Sequence, residues 1–126
     1  LKGKLPFHVV KTILPAYDVM VFPSFFEGFG LVVPEAMACG LPVLTTTATC
    51  GPDIIEDGKE GIVIQPGDEL ALVNAIQRFI DQPQLVHEMG SAARKKVSSL
   101  QWDQYGDNWE KIISKTIARK NETVRL

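Results

Sequence analysis

Apolar positions along this chain follow two rhythms. Short continuous apolar runs at residues 19–22, 42–46 and 61–64 read as strands covered on both faces. Runs spaced at helical intervals read as helices. They cover 7–16, with Pro15 near its close, then 33–39, then a single turn at 52–56. Three longer amphipathic helices come next. Leu70, Val73, Ile76 and Ile80 mark one stripe; Leu85, Met89, Ala92 and Val97 mark a second, with Lys96 at its edge. Tyr105, Trp109, Ile112, Ile113 and Ile117 mark a third. Each stripe is expected to face a core. Residues 1–5 read as the end of a further strand, and 119–126 carry no clear pattern. Strands alternating with helices predict an α/β fold, a parallel sheet joined by right-handed crossovers.

One segment interrupts this plain pattern. Between the first two strand runs lies Pro23-Ser-Phe-Phe-Glu-Gly-Phe-Gly-Leu-Val-Val-Pro-Glu-Ala-Met-Ala-Cys-Gly40. Gly28 and Gly30 lack a Cβ, so this loop can take positive φ and approach a ligand closely. Pro34 must lie in the first helical turn, since deeper it would remove a helix hydrogen bond. The helix therefore starts between Gly30 and Pro34, and Gly40 followed by Pro42 ends it. Unpaired amides at a helix start hold phosphate without a metal. Glu27 and Glu35 flank that point and can accept hydrogen bonds from sugar hydroxyls. A sugar nucleotide has all of these parts.

Composition narrows the partners. The chain has 126 residues, 45% hydrophobic and 22% charged, an ordinary globular balance. Net charge is −2 with both signs scattered, so no basic stripe points to nucleic acid. No apolar run approaches the ~18–20 residues that span a bilayer, and no signal-peptide pattern is visible. Leu1 is not a start methionine, so further sequence is expected upstream. Cys39 and Cys50 form no C-x-x-C pair and have no metal-ligand companions. Cys39 is expected to be a buried thiol, and a reduced, cytoplasmic protein is the simplest reading, with a disulfide disfavoured.

Glu27-Gly-Phe-Gly-Leu-Val-Val-Pro-Glu35 resembles the E-x7-E signature of retaining glycosyltransferases of family four, the group-one glycosyl transferases. Two glutamates at this spacing are weak by themselves; the surrounding string is far more specific. Tyr17-Asp-Val precedes the signature, and Glu35-Ala-Met-Ala-Cys-Gly40 continues it. Gly51-Pro-Asp-Ile-Ile, Asp57-Gly58 and Gly61-Ile-Val-Ile-Gln-Pro-Gly-Asp68 resemble the family's next helix, turn and strand. The likeness covers nearly the whole chain and is weakest after Gln101. Two departures lie outside the signature: Asp53 stands where the family usually has Glu, and Cys50-Gly51 where it often has Gly-Gly.

The resemblance implies a partial Rossmann-like parallel sheet flanked by helices, part of the C-terminal, donor-binding domain of a GT-B enzyme. A complete domain of this kind has about six strands. Only three or four are found here, so the chain is expected to be the second part of that domain and inactive alone. Residues 1–68 would carry the donor site, 69–118 the amphipathic helices and 119–126 a tail. The implied reaction moves a sugar from a nucleotide-diphosphate donor to an unknown acceptor (a sugar, lipid-linked sugar or polysaccharide), with retention of configuration. No metal or cofactor is implied, and peripheral membrane association of the whole protein is compatible with it. Glu27 is the candidate catalytic residue, at the donor sugar, and Glu35 the candidate ribose partner. Ser24, Gly28, Phe29, Gly30, Leu31 and Val32 complete the candidate donor site.

Each residue has a plainer reading. The glycines can serve a turn, Glu35 the helix dipole, Glu27 the solvent, Phe29 the packing and Ser24 a loop cap. His8 and His87 read as structural or solvated, and Arg94, Lys95 and Lys96 as a solvated helix face. Two other functions stay open: a non-catalytic nucleotide-sugar-binding module, and a GT-B epimerase acting on a nucleotide sugar.

Overall fold

The computed structural model describes residues 3–100 and 102–123. Among the described residues three strands form one parallel sheet in the order β1 (Met20–Phe22), β2 (Val43–Thr46), β3 (Gly61–Ile64). Met20 pairs with Val43 and Phe22 with Thr45; Val43 pairs with Gly61 and Thr46 with Ile64. Before the sheet come α1 (Phe7–Ile13) and a 3₁₀ turn, Leu14–Ala16, which tightens the chain where Pro15 removes a donor. Between strands lie α2 (Val32–Ala38) and α3 (Gly51–Ile54), and after them α4 (Glu69–Asp81), α5 (Gln84–Ser98) and α6 (Trp102–Thr123). The strand expected at 1–5 is not found at Gly3, Lys4 or Leu5; Leu1 and Lys2 lie outside the described residues.

β2 is buried along its whole length. Its alternating side chains divide the interior in two. Val43 joins Val33, Ala36, Met37, Cys50, Ile55 and Ala93 on one face. Leu44 joins Ile62, Ala75, Phe79 and Met89 on the other. Each large apolar side chain so buried contributes about 1.5–3 kcal/mol. Because α5 supplies Ala93 to one cluster and Met89 to the other, it ties the two together.

The helix boundaries reflect local chemistry. α2 closes with Gly40 at φ 83°, the Leu41 amide donating to the Ala36 carbonyl and the Gly40 amide to that of Met37. That pairing is a Schellman stop, which needs a left-handed residue and so favours glycine. α4 opens on Asp68, whose carboxylate accepts from the Ala71 amide at 2.8 Å. Such a cap is worth about 1 kcal/mol.

The structure corrects four further expectations. The α4 stripe of Leu70, Val73, Ile76 and Ile80 is exposed, at 72%, 60%, 38% and 65%. Ala75 and Phe79 are buried instead, with Leu72 packed beside them. α4 carries apolar residues on more than one face, and the sheet takes only one. Similarly, Tyr105, Trp109, Ile112, Ile113 and Ile117 of α6 are each about half exposed, with the Tyr105 and Trp109 rings packed edge to face. α6 also continues through 119–123, where the sequence shows no pattern; 124–126 lie outside the described residues. Finally, Lys96 is not simply solvated. Its ammonium lies 3.6 Å from the carboxylate of Glu60, a side chain only 3% exposed that also accepts from the Glu56 amide at 2.8 Å. Among the described residues no helix is long and apolar enough to cross a membrane.

α5 crosses the end of α2 at Gly90, where an added Cβ would overlap the Gly40 carbonyl oxygen. Alanine is about 1 kcal/mol better than glycine inside a helix. Gly90→Ala should nonetheless destabilise the native polypeptide carrying this chain by about 1–3 kcal/mol, the cost of overpacking. The midpoint of urea unfolding reads this; an unchanged midpoint would mean that α5 can back away from α2.

Candidate functional site

All three strands run the same way, so the loops after them leave the sheet at one edge, where open α/β sheets take their ligands. The β1–α2 loop holds the glycine segment. Gly30 has φ 82°, and a Cβ there would press on the Glu27 and Phe22 side chains at 3.2 and 3.3 Å. Both conformation and space therefore call for glycine at 30. Gly28 has neither a positive φ nor a close neighbour. The Glu27 carboxylate accepts from the Gly28 amide at 3.0 Å, which turns it back along the loop.

A cavity of 520 Å³ opens here, lined by Phe22, Glu27, Phe29, Gly30, Leu31 and Val32. Five of these six are residues singled out from the sequence; Phe22 was not among the candidates. Ser24, Gly28 and Glu35 do not line it. Ser24 donates to the Phe26 carbonyl at 3.0 Å, as a loop cap does. Glu35 is half-buried in the first turn of α2. Among the described residues no hydrogen bond engages the amides of Gly30, Leu31 or Val32, whereas the Val33 amide is bonded to the Gly30 carbonyl. Pro34 has no amide proton. The mouth of α2 thus presents three unpaired donors beside one carboxylate.

A second loop, after β2, forms the wall behind this segment. The Glu27 amide donates to the Ala48 carbonyl at 3.1 Å, and the Cys50 amide to the Phe29 carbonyl at 2.9 Å. The Cys50 thiol lies 3.7 Å from the Gly30 carbonyl oxygen. Both cysteines are free; Cys50 is buried, while Cys39, expected to be buried, is half-buried and packs against the core. Burial pushes the Cys50 thiol up; a backbone hydrogen bond works against that, and the carboxylates of Asp53 and Glu27 add to the rise. Nothing in the residue pattern singled out Ala48, because it acts through its backbone carbonyl.

A slightly larger cleft, 590 Å³, lies among Tyr17, Val21, Ile76, Phe79, Ile80 and His87. It includes the residues that lead into β1, so it sits toward the opposite end of the sheet from the glycine loop.

Residues 1–96 match the sequence family described as Glycosyl transferases group 1. This chain belongs to that family. It is 41% identical over 88 residues to the D-inositol 3-phosphate glycosyltransferase of Streptomyces griseus, covering 70% of this chain and 19% of that protein. Among solved structures it is similar to a sucrose-phosphate synthase from Thermosynechococcus elongatus, with TM-score 0.77, 30% identity and coverage of 93% of this chain and 30% of that one. It is also similar to Anabaena Alr3699/HepE in complex with UDP-glucose, with TM-score 0.63, 30% identity and coverage of 69% and 24%. The sheet with its flanking helices is that of GT-B glycosyltransferases. The chain spans about a fifth of the first relative's length and less than a third of these solved structures.

Iodoacetamide at pH 8 should label Cys39 of this family member well before Cys50, because only the thiolate reacts. Denaturation should erase the difference. Peptide mass spectrometry reads the order, and early labelling of Cys50 would show that the 48–50 loop opens readily.

Proposed function

We propose that this chain supplies the donor site of a glycosyltransferase that takes a sugar from a nucleotide-diphosphate donor with retention of configuration. One observation carries the reading: the cavity at the mouth of α2 combines three unpaired amides with the Glu27 carboxylate. The Anabaena relative bound to UDP-glucose supports a donor of this chemical class.

In this reading the diphosphate sits against the amides of Gly30, Leu31 and Val32. As the sugar–phosphate bond breaks, negative charge builds on the leaving diphosphate. Donors already aimed at that position need not reorganise, so their stabilisation grows in the transition state. Phe29 walls the cavity and contributes its backbone. Glu27 contacts the donor sugar near the reacting carbon, and Glu35 reaches the ribose hydroxyls from the first turn of α2. Glu27 does not act as a glycosidase carboxylate that attacks carbon or activates water. The acceptor half of the reaction belongs to parts of the polypeptide beyond this chain, so this segment alone is inactive.

In the native polypeptide carrying this chain, Glu35→Ala should weaken donor binding by about 1–3 kcal/mol, the value of a hydrogen bond to a charged group. Calorimetric titration with nucleotide sugars reads this, and an unaltered affinity would remove the ribose role. Glu27→Ala should chiefly lower turnover; intact turnover would remove the sugar contact. Gly30→Ala should lower donor affinity as well, because a left-handed backbone strains any residue with a Cβ.

A further inference from the structure

Three threonines sit where β2 runs into the loop before α3, and the hydroxyls of Thr45 and Thr49 meet there. Thr45 and Thr46 are 0% and 1% exposed. Thr45 donates to the Phe22 carbonyl at 3.0 Å, and Thr46 to the Ser24 carbonyl at 2.6 Å. Successive strand residues point to opposite faces, so the two hydroxyls reach the outgoing chain of β1 from different sides. Thr49 Oγ1 accepts from the Gly51 amide at 3.0 Å and lies 3.0 Å from both Thr45 Oγ1 and the Thr46 carbonyl oxygen.

Each hydroxyl has a single proton, which orders this cluster. Thr45 gives its proton to Phe22, so the Thr49 proton is shared between Thr45 Oγ1 and the Thr46 carbonyl. Thr46 Oγ1, having donated to Ser24, accepts from the Ala48 amide at 3.3 Å. Among the described residues no buried side-chain polar atom is left without a partner. A connected network of this kind holds its members as a unit.

The loop so held grips the glycine segment in turn. Ala48 and Cys50, on either side of Thr49, make the two backbone hydrogen bonds to Glu27 and Phe29. We propose that Thr45, Thr46 and Thr49 are positioning residues for the donor site, an inference that rests on the donor-site reading above. They touch no ligand. Their hydroxyls splint the 48–50 loop, which sets the Glu27 carboxylate and the amides of Gly30, Leu31 and Val32 against the donor. Misplacing such groups by even 1 Å is costly, on the order of a hundredfold in rate.

The test uses the native polypeptide carrying this chain, with Thr49→Val, Thr45→Val and Thr49→Ser. Valine keeps the shape and removes the proton; serine keeps the hydroxyl. Amide hydrogen exchange is measured at Glu27 and Cys50, with α4 amides as the internal control, beside titrations with UDP-glucose, UDP-N-acetylglucosamine and GDP-mannose. Thr49→Val should exchange about tenfold faster at both amides and bind its donor about tenfold more weakly, the effect of about one lost hydrogen bond. Thr49→Ser should restore both. If Thr49→Val does not fold, Thr45→Val reads the same network, since it removes the other end of the shared bond. Unchanged exchange at Glu27 and Cys50, or an equal rise across α4, overturns the proposal. A wild-type protein that binds none of the three nucleotide sugars counts against the donor reading, and the exchange comparison then judges the splint alone.

Discussion

The burial of β2 on both faces is the constraint on which the rest of the structure depends. A parallel strand cannot turn directly into its neighbour, so each crossover must travel the length of the sheet outside it. The crossovers and the helices beyond them cover Val43 on one side and Leu44 on the other. Shared strand direction then sends the loops after β1, β2 and β3 out at a single edge. The proposed donor site is a product of that geometry: one loop presents amides and a carboxylate, and the neighbouring loop supports it from behind.

Two kinds of contact make the arrangement specific rather than merely compact. Glycines at 30, 40 and 90 admit a left-handed turn or a close helix crossing that a side chain would strain. Buried polar groups among the described residues have partners: the Thr45 and Thr46 hydroxyls meet carbonyls, and Glu60 meets Lys96 and the Glu56 amide. An unmatched polar group in such surroundings costs as much as a lost hydrogen bond or more, so these positions reject substitutions that a purely apolar core would absorb.

The apolar surface is uneven. α4 satisfies the sheet with Leu72, Ala75 and Phe79 and keeps a second apolar face outside, and α6 is apolar along a stripe that is about half exposed. Both sit in a chain that spans a fifth to a third of the relatives it resembles.

What the residues determined by themselves was local and covalent in origin. Continuous apolar runs marked β2 and β3, Pro34 and Gly40 bounded α2 to within about a residue, and Gly30 announced a left-handed turn. These signals depend on φ, on missing protons and on missing Cβ atoms, which neighbours in space do not alter. Which stripe of α4 is buried, whether the α6 stripe has a surface to meet, which cysteine is enclosed, and that Lys96 answers Glu60 were decided only by tertiary packing. A helix with apolar residues on several faces has no internal means of choosing among them. The threonine splint was equally silent in sequence, because a hydroxyl acquires its meaning from carbonyls some 23 residues away that only the paired strands bring within reach.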